Sequence, residues 1–304
     1  MKILVTGGTG FVGQRVVKDL LAQGHAVRLW TRRPVDVPGA ETCRVSDLDD
    51  MAAMSDAVAG MDAICHLAGR AHVIGATPAD HEAQFEKVNV EWTSKLAEAS
   101  FLAGAKRFVF VSSIGAVGTS SPPGQPLTEQ TECRPVTPYG RSKLKAEQIL
   151  RGLAERHGGE WVAVRPPLVH GKDAPGNMAR LTRLVRKGLP LPLGSVKNAR
   201  SMIHVDNLSS VLLACLTHPD APGHVFHVRD SRDYSTPDIL QGIGKSLGQS
   251  ARMFSFPVPL LRLAAGLAGQ AAAVDQLTGT LQVDDRLVRE TLGFQPRDLP
   301  FEAS

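Results

Sequence analysis

Short runs of apolar residues recur along the chain at 2–6, 26–30, 63–67, 107–112, 161–165 and 224–228, each rich in Val, Ile, Leu or Phe. Such runs, apolar on successive rather than alternate positions, read as strands covered on both faces. Between them lie stretches with a helical spacing of apolar residues, predicting helices over 13–23, 51–59, 85–103, 140–156 and 205–218. Strand and crossover helix therefore alternate. With right-handed crossovers this places the strands in one doubly wound parallel sheet, an α/β fold with helices on both faces.

Two stretches break the alternation: 171–200, rich in Gly, Pro and basic residues, and 229–304, with several short helical patterns. They read as a smaller C-terminal lid inserted beyond the carboxyl ends of the strands, where open α/β sheets bind their ligands. Segment 258–274 is the best candidate for a membrane span, but Arg262 and Gln270 interrupt it. A spanning helix needs about 20 apolar residues, so the expectation here is a packed helix and no membrane partner.

At 304 residues, 43% hydrophobic and 21% charged, the chain is far too apolar to be disordered. Its 34 Lys and Arg against 30 Asp and Glu give +4, but the charges are scattered, which is weak evidence for nucleic-acid binding; a local positive pocket for a phosphorylated small molecule is an equally good use of the surplus, and no nucleic-acid partner is expected. Cys43, Cys65, Cys133 and Cys215 show no metal-ligand spacing and read as reduced thiols. A strand that begins at residue 2 leaves no room for a targeting segment. The expectation is a cytoplasmic protein without a metal.

The first strand runs directly into Thr6-Gly7-Gly8-Thr9-Gly10-Phe11-Val12-Gly13, after which the helical pattern starts. Glycines here permit a tight turn and close approach of the backbone to a pyrophosphate, and the helix start offers unpaired N–H groups to it. Gly7, Gly10, Phe11, Val12 and Gly13 are thus the expected dinucleotide cradle of a Rossmann-type domain. A site selective for NAD usually ends the second strand in Asp or Glu. Here that strand ends in Arg32-Arg33, and the first acidic residue is Asp36, beyond Pro34. Paired guanidiniums suit a 2′-phosphate, so NADP(H) is preferred, with NAD(H) as the alternative. The domains expected are 1–170 plus 201–228 for the cofactor and 171–200 plus 229–304 for the substrate.

Ser112-Ser113 closes the fourth strand, and Tyr139-Gly140-Arg141-Ser142-Lys143 opens a helix. Tyr139 and Lys143, four apart, share one helix face. A phenol with an ordinary pKa near 10 is a poor acid or base at neutral pH, and a neighbouring ammonium would lower it. Ser113 would then hydrogen-bond the oxygen undergoing redox change.

With these motifs in place the chain resembles the extended short-chain dehydrogenases/reductases, of the nucleotide-sugar epimerase, dehydratase and reductase type. The resemblance also takes in Asp47-Leu48, His66-Leu67-Ala68-Gly69, Asn89-Val90, the run from Arg165 through Gly171, and the run from Arg200 through Asp206. It implies that Ser113, Tyr139 and Lys143 are the catalytic trio. It further implies that Asp47 and Leu48 approach the adenine, and that Leu67, Ala68, Gly69, Asn89, Val111, Ser112 and Pro166 line the cofactor. For the substrate it points to Arg200 on a diphosphate, Asn177 on the same ligand, and Leu191, within the 189–194 run, in a strand beside the base. Arg70 and His72 are placed near the sugar. It also implies a homodimer built on the helices at 85–103 and 140–156.

Departures narrow the expectation. Dehydratases of this type carry Asp and Glu after the reactive hydroxyl, where this chain has Ile114 and Gly115; hexose epimerases often carry an arginine where it has Val274. The leading expectation is therefore an NADPH-dependent 4-ketoreductase of a nucleotide-linked, UDP-N-acetylated keto-deoxysugar. A 4-epimerase that retains its cofactor is the alternative, and a non-catalytic NADP(H) sensor the third reading.

Overall fold

The computed structural model describes residues 1–45, 49–71 and 78–302. Asp47, Leu48 and His72 lie outside the described residues.

Seven parallel strands form the main sheet: β1 (Lys2–Thr6), β2 (Ala26–Thr31), β3 (Ala40–Arg44), β4 (Ala63–His66), β5 (Arg107–Val111), β6 (Glu160–Arg165) and, numbered by chain order, β9 (Val225–His227). Their order is β3-β2-β1-β4-β5-β6-β9. From β1 the chain winds outward through β2 to β3, then returns to β1's other side and winds through β4. That reversal opens a crevice beyond the carboxyl ends of β1 and β4, where ligands of such sheets bind. Ile3, Leu4 and Val5 have no exposed surface, and burying each of them contributes about 1.5–3 kcal/mol. The central strand is apolar on both faces because both are covered.

One face packs against α1 (Phe11–Ala22), α7 (Val205–Thr217) and α11 (Arg286–Leu292). The other packs against α2 (Met51–Val58), α4 (Trp92–Leu102) and α5 (Pro138–His157). A separate hydrophobic cluster joins α6 (Asn177–Arg186), α8 (Thr236–Ser246) and α9 (Val258–Leu267). A two-stranded parallel sheet of β7 (Leu168–His170) and β8 (Met202–His204) lies between these regions in sequence.

The differences from expectation have physical causes. Strand β3 was not legible because its sequence, AETCR, is polar and mostly exposed; it is the sheet edge and pairs only with β2. The helix expected at 85–103 begins earlier, as α3 (Pro78–Phe85), and runs through a π-helical turn at Glu86–Glu91 before α4. Segment 258–274 breaks at Gly269 into α9 and α10 (Ala271–Thr278). In place of one packed helix there are two short ones, and α9 packs by one stripe alone, with Ala265 buried and Val258 and Leu261 half-buried against the cluster.

Candidate active site

The turn after β1 is built from glycines for steric reasons. Gly7 has φ +72°, and a Cβ there would lie 2.7 Å from the Ala68 nitrogen, so β1 and the chain leaving β4 meet backbone to backbone. A Cβ at Gly13 would fall 2.1 Å from the Gly7 carbonyl oxygen. Helix α1 starts at Phe11 with Gly10 as its N-cap and no side-chain cap. The amides of Phe11, Val12 and Gly13 therefore face the crevice mouth as open donors. This cradle fits a dinucleotide's pyrophosphate. Arg32 and Arg33 are exposed just past β2 and form no ion pair with another described residue.

The chemical end is held by α5. Thr137 caps that helix, its Oγ1 accepting from the Gly140 amide at 3.0 Å, and Pro138 fixes the first turn. The cap sets Tyr139 at the helix mouth, its ring 5.9 Å from that of Phe85. Ser113 caps a short 3₁₀ turn at Ile114–Ala116, and its Oγ accepts from the Gly115 amide at 3.1 Å. The hydroxyl proton of Ser113 thus remains available as a donor. Burial pushes the Tyr139 phenol up to about 12, opposed by its hydrogen bond with Ser113.

Burial also pulls Lys143 down to about 8, opposed by the charge of Glu147. Its Nζ donates to the Val111 carbonyl at 2.9 Å, sits 4.5 Å from the Phe110 ring centre and 5.9 Å from that of Tyr139. In this geometry burial dominates at Tyr139 and the Lys143 ammonium is directed at a carbonyl, so the acidity expected of the phenol requires Lys143 to turn toward it.

The glycine turn and the trio are contiguous. A Cβ at Gly69 would lie 3.1 Å from Lys143 Nζ, so this glycine, one residue past the Gly7 contact at Ala68, makes room for the buried ammonium beside the glycine turn. Leu67 continues the pairing of β4, its amide donating to the Thr6 carbonyl at 3.1 Å. Asn89, in the π-helical turn, is directed at protein. Its Oδ1 accepts from the Arg70 amide at 2.8 Å, and its Nδ2 donates to the Arg70 carbonyl and to Ser142 Oγ, both at 3.0 Å. It shapes the crevice wall by tying the segment after β4 to α5. Ser112 is likewise turned inward: its hydroxyl donates to Glu147. Pro166 is buried, and its carbonyl accepts from the Ile114 amide at 3.0 Å.

Among the expected substrate residues, Arg70 is exposed and Asn177 opens α6 behind Gly176 at φ +66°. The strand expected at 189–194 is a single bridge, Leu191 to Met253, because the prolines at 190 and 192 remove the intervening donors. Arg200 is partly buried, and its Nη1 donates to the Gln276 and Gly279 carbonyls at 2.8 and 3.1 Å, at the C-terminal end of α10.

Sequence reasoning missed the polar groups behind the trio. Glu147 accepts from Arg165 Nε at 3.0 Å and Nη2 at 2.6 Å, both side chains being 5% exposed. The signal was present: Tyr139, Lys143 and Glu147 are four apart on one face. A second hub centres on Asp230, which accepts from Asn207 Nδ2 at 2.7 Å and from the His204 amide and lies 2.7 Å from His170 Nε2. His66 is a core residue, linking Thr6 and Thr93 hydroxyls at 2.6 and 2.9 Å.

A family model described as the NAD dependent epimerase/dehydratase family matches residues 3–228. The chain belongs to that family. As the motifs implied, its fold is that of the extended short-chain dehydrogenases/reductases. A UDP-glucose 4-epimerase of Vibrio cholerae is 36% identical over 97% of this chain and 90% of its own length. A more distant relative, 26% identical over 85% of this chain and 76% of its own, is the N-acetyl-alpha-D-glucosaminyl-diphospho-ditrans,octacis-undecaprenol 4-epimerase of Escherichia coli O157:H7. Among solved structures, a short-chain dehydrogenase/reductase superfamily protein from Agrobacterium tumefaciens with bound NAD superposes with a TM-score of 0.76 at 25% identity, covering 98% of this chain and 93% of that one. The family is NAD dependent by its description, and the glycine cradle fits the pyrophosphate of such a dinucleotide.

Proposed function

We propose that the chain is a nucleotide-sugar 4-epimerase that oxidises and re-reduces C4 of its substrate. The observation that carries this reading is the grouping of the Ser113 hydroxyl, the Tyr139 phenol and the Lys143 ammonium beside the glycine cradle. NAD(P), when bound, supplies the hydride acceptor and donor. Gly7, Gly10, Phe11, Val12 and Gly13 hold its pyrophosphate, and Leu67, Ala68 and Gly69 form the floor against it.

With Lys143 turned toward it, Tyr139 loses its phenolic proton to solvent, and the phenolate Oη takes the proton of the C4 hydroxyl during oxidation and returns it when the ketone is reduced. Ser113, fixed by the Gly115 amide, donates its proton to the same oxygen and disperses the charge that develops there. Lys143, protonated at neutral pH, would turn from the Val111 carbonyl toward the bound cofactor, and its charge would stabilise the phenolate. Ile114 and Gly115 supply no acid for expelling water, so the 4-keto sugar is returned rather than dehydrated. Arg200 and Asn177 face the diphosphate, and Arg70 the sugar. The 36% identical Vibrio cholerae relative supports epimerisation over the reductase first expected from the sequence.

Arg32 and Arg33 favour a second reading, an NADPH-dependent 4-ketoreductase, since two exposed guanidiniums at the end of β2 suit a 2′-phosphate. One experiment separates the two. Purified chain is given UDP-glucose, UDP-N-acetylglucosamine or a UDP-4-keto-6-deoxy sugar with NAD(H) or NADP(H), and products are read by proton NMR. Exchange of C4 epimers without net cofactor consumption supports the epimerase. Stoichiometric oxidation of NADPH, with its preference over NADH lost in the Arg32→Ala/Arg33→Ala variant, supports the reductase. No turnover of any of these overturns both.

A further inference from the structure

Segments 174–205 and 239–274 contain nine Lys or Arg and not one Asp or Glu. The whole chain carries +4, so the remainder is net negative and the charge is segregated onto these two segments. The same segments hold six of the ten large hydrophobic side chains that are exposed among the described residues: Leu184, Leu189, Phe254, Leu260, Leu263 and Leu267. Positive charge and uncovered apolar surface thus coincide in these two segments.

Helix α9 is the centre of this surface. Its inward stripe, Val258, Leu261 and Ala265, packs on or beside the cluster with α6 and α8. Its outward stripe, Leu260, Leu263 and Leu267, is just as apolar and is 53%, 63% and 86% exposed. A helix that is apolar on both faces needs a second apolar environment. Arg262 supplies no charge to that outward face, because its Nε pairs with Asp275 of α10 at 3.2 Å. The basic residues come instead from neighbouring elements. Gln249, just past α8, donates from Nε2 to the Val185 carbonyl of α6 at 2.7 Å, and the Leu191 amide donates to the Arg252 carbonyl at 2.9 Å. These bonds bring exposed Arg183, Lys187 and Arg252 next to Leu189 and Phe254, on the segment that leads into α9.

We infer that α9 and this basic flank form a docking surface for an anionic phospholipid bilayer. The ten residues of α9 rise about 15 Å, half of the roughly 30 Å hydrocarbon core, and no helix among the described residues is long and apolar enough to cross it. Such a helix lies in the interface plane, leucines among the acyl chains and cations at the headgroups. This reverses the expectation of no membrane partner and holds whichever reaction the active site performs.

The test is flotation of the full chain with vesicles of phosphatidylcholine, with and without phosphatidylglycerol, in about 0.1 M salt. The chain should float with the phosphatidylglycerol vesicles, less so as salt rises, and weakly with phosphatidylcholine alone. Leu263→Gln/Leu267→Gln should lower vesicle affinity about tenfold per leucine, and Arg183→Gln/Lys187→Gln/Arg252→Gln about fivefold per charge, with circular dichroism and cofactor affinity unchanged. A chain that stays at the bottom of the gradient with phosphatidylglycerol vesicles overturns the inference. So does a leucine variant that floats like its parent. Light scattering showing a dimer that the leucine variant converts to monomer, without flotation of the parent, reassigns the stripe to self-association and also overturns it.

Discussion

Replacing Glu147 with Gln preserves side-chain shape on the buried face of α5 and removes one charge, which isolates what that charge does. Its carboxylate receives two bonds from Arg165, at 3.0 and 2.6 Å, in forked geometry, and one from Ser112. Both members of the ion pair are 5% exposed, so solvent cannot take the place of the lost anion. The Arg165 guanidinium would keep one bond to the Gln carbonyl oxygen, a 3.4 Å approach to His227 Nε2 and its contact with Cys133, none of them carrying a negative charge to balance it. Removing one partner of a buried pair costs about 3–5 kcal/mol, because the other charge is stranded. For a chain of this size about 2 °C accompanies each kcal/mol, so the melting temperature should fall by about 6–10 °C.

The same substitution has a catalytic signature. Glu147 is the group that opposes the fall of Lys143 to about 8. Without it the protonated lysine is less favoured, its pKa drops further, and the alkaline limb of the pH-rate profile moves to lower pH. Adding Arg165→Met removes the stranded cation and should recover most of the stability, but it should leave the shifted limb in place. Differential scanning calorimetry and kcat/KM against pH read the two effects separately. A Glu147→Gln chain that melts within about 2 °C of the parent, or a double variant no more stable than the single one, would refute the charge-balance argument.

Three further outcomes follow from the same geometry. Tyr139→Phe should cut turnover by about 10²–10⁴ through loss of proton transfer while the chain still binds NAD(P), checked by cofactor fluorescence titration. Gly13→Ala places a methyl 2.1 Å from the Gly7 carbonyl oxygen, so it should abolish cofactor binding in that titration and lower the melting temperature. Burial lowers His66 to about 3 and His227 to about 4, so both are neutral in the folded chain at neutral pH. The unfolded chain binds a proton at each near pH 6.5, so stability should fall as pH drops from 6.5 toward 4, by up to about 1.4 kcal/mol per pH unit per histidine; urea unfolding across this range should show a shallower slope for His227→Gln.

What the sequence revealed and what it hid divide along a physical line. Strands buried on both faces must be continuously apolar, and a turn that admits no Cβ must be glycine, so the sheet, its switch point and the cradle at Gly7 and Gly13 were all legible. Tyr139 and Lys143 were legible because helical spacing places them together. Strand β3 was not, since an edge strand with one neighbour has no apolar pattern to show. The protonation state of the trio was equally hidden. Whether Lys143 acts on the phenol or on the Val111 carbonyl depends on where a flexible ammonium finds its best acceptor, and whether Tyr139 is acidic depends on its depth. Asn89 and Ser112 were expected to line the cofactor, yet their polar atoms are taken by Arg70, Ser142 and Glu147.

Helix α5 orders these groups as a ruler would. Tyr139, Lys143 and Glu147 follow at intervals of about 6 Å along one face, from the mouth set by the Thr137 cap to the buried ion pair with Arg165. Were the carboxylate one turn nearer the mouth, it would neutralise the ammonium and compete for the proton that Tyr139 must carry. Were it absent, burial alone would discharge Lys143 near neutral pH. Two turns from the phenol and one from the lysine, it keeps the middle group cationic without touching the reacting end. The depth at which Arg165 fixes Glu147 therefore sets the charge available at the mouth, and the acid–base chemistry of Tyr139 is controlled from inside the fold as much as from the crevice.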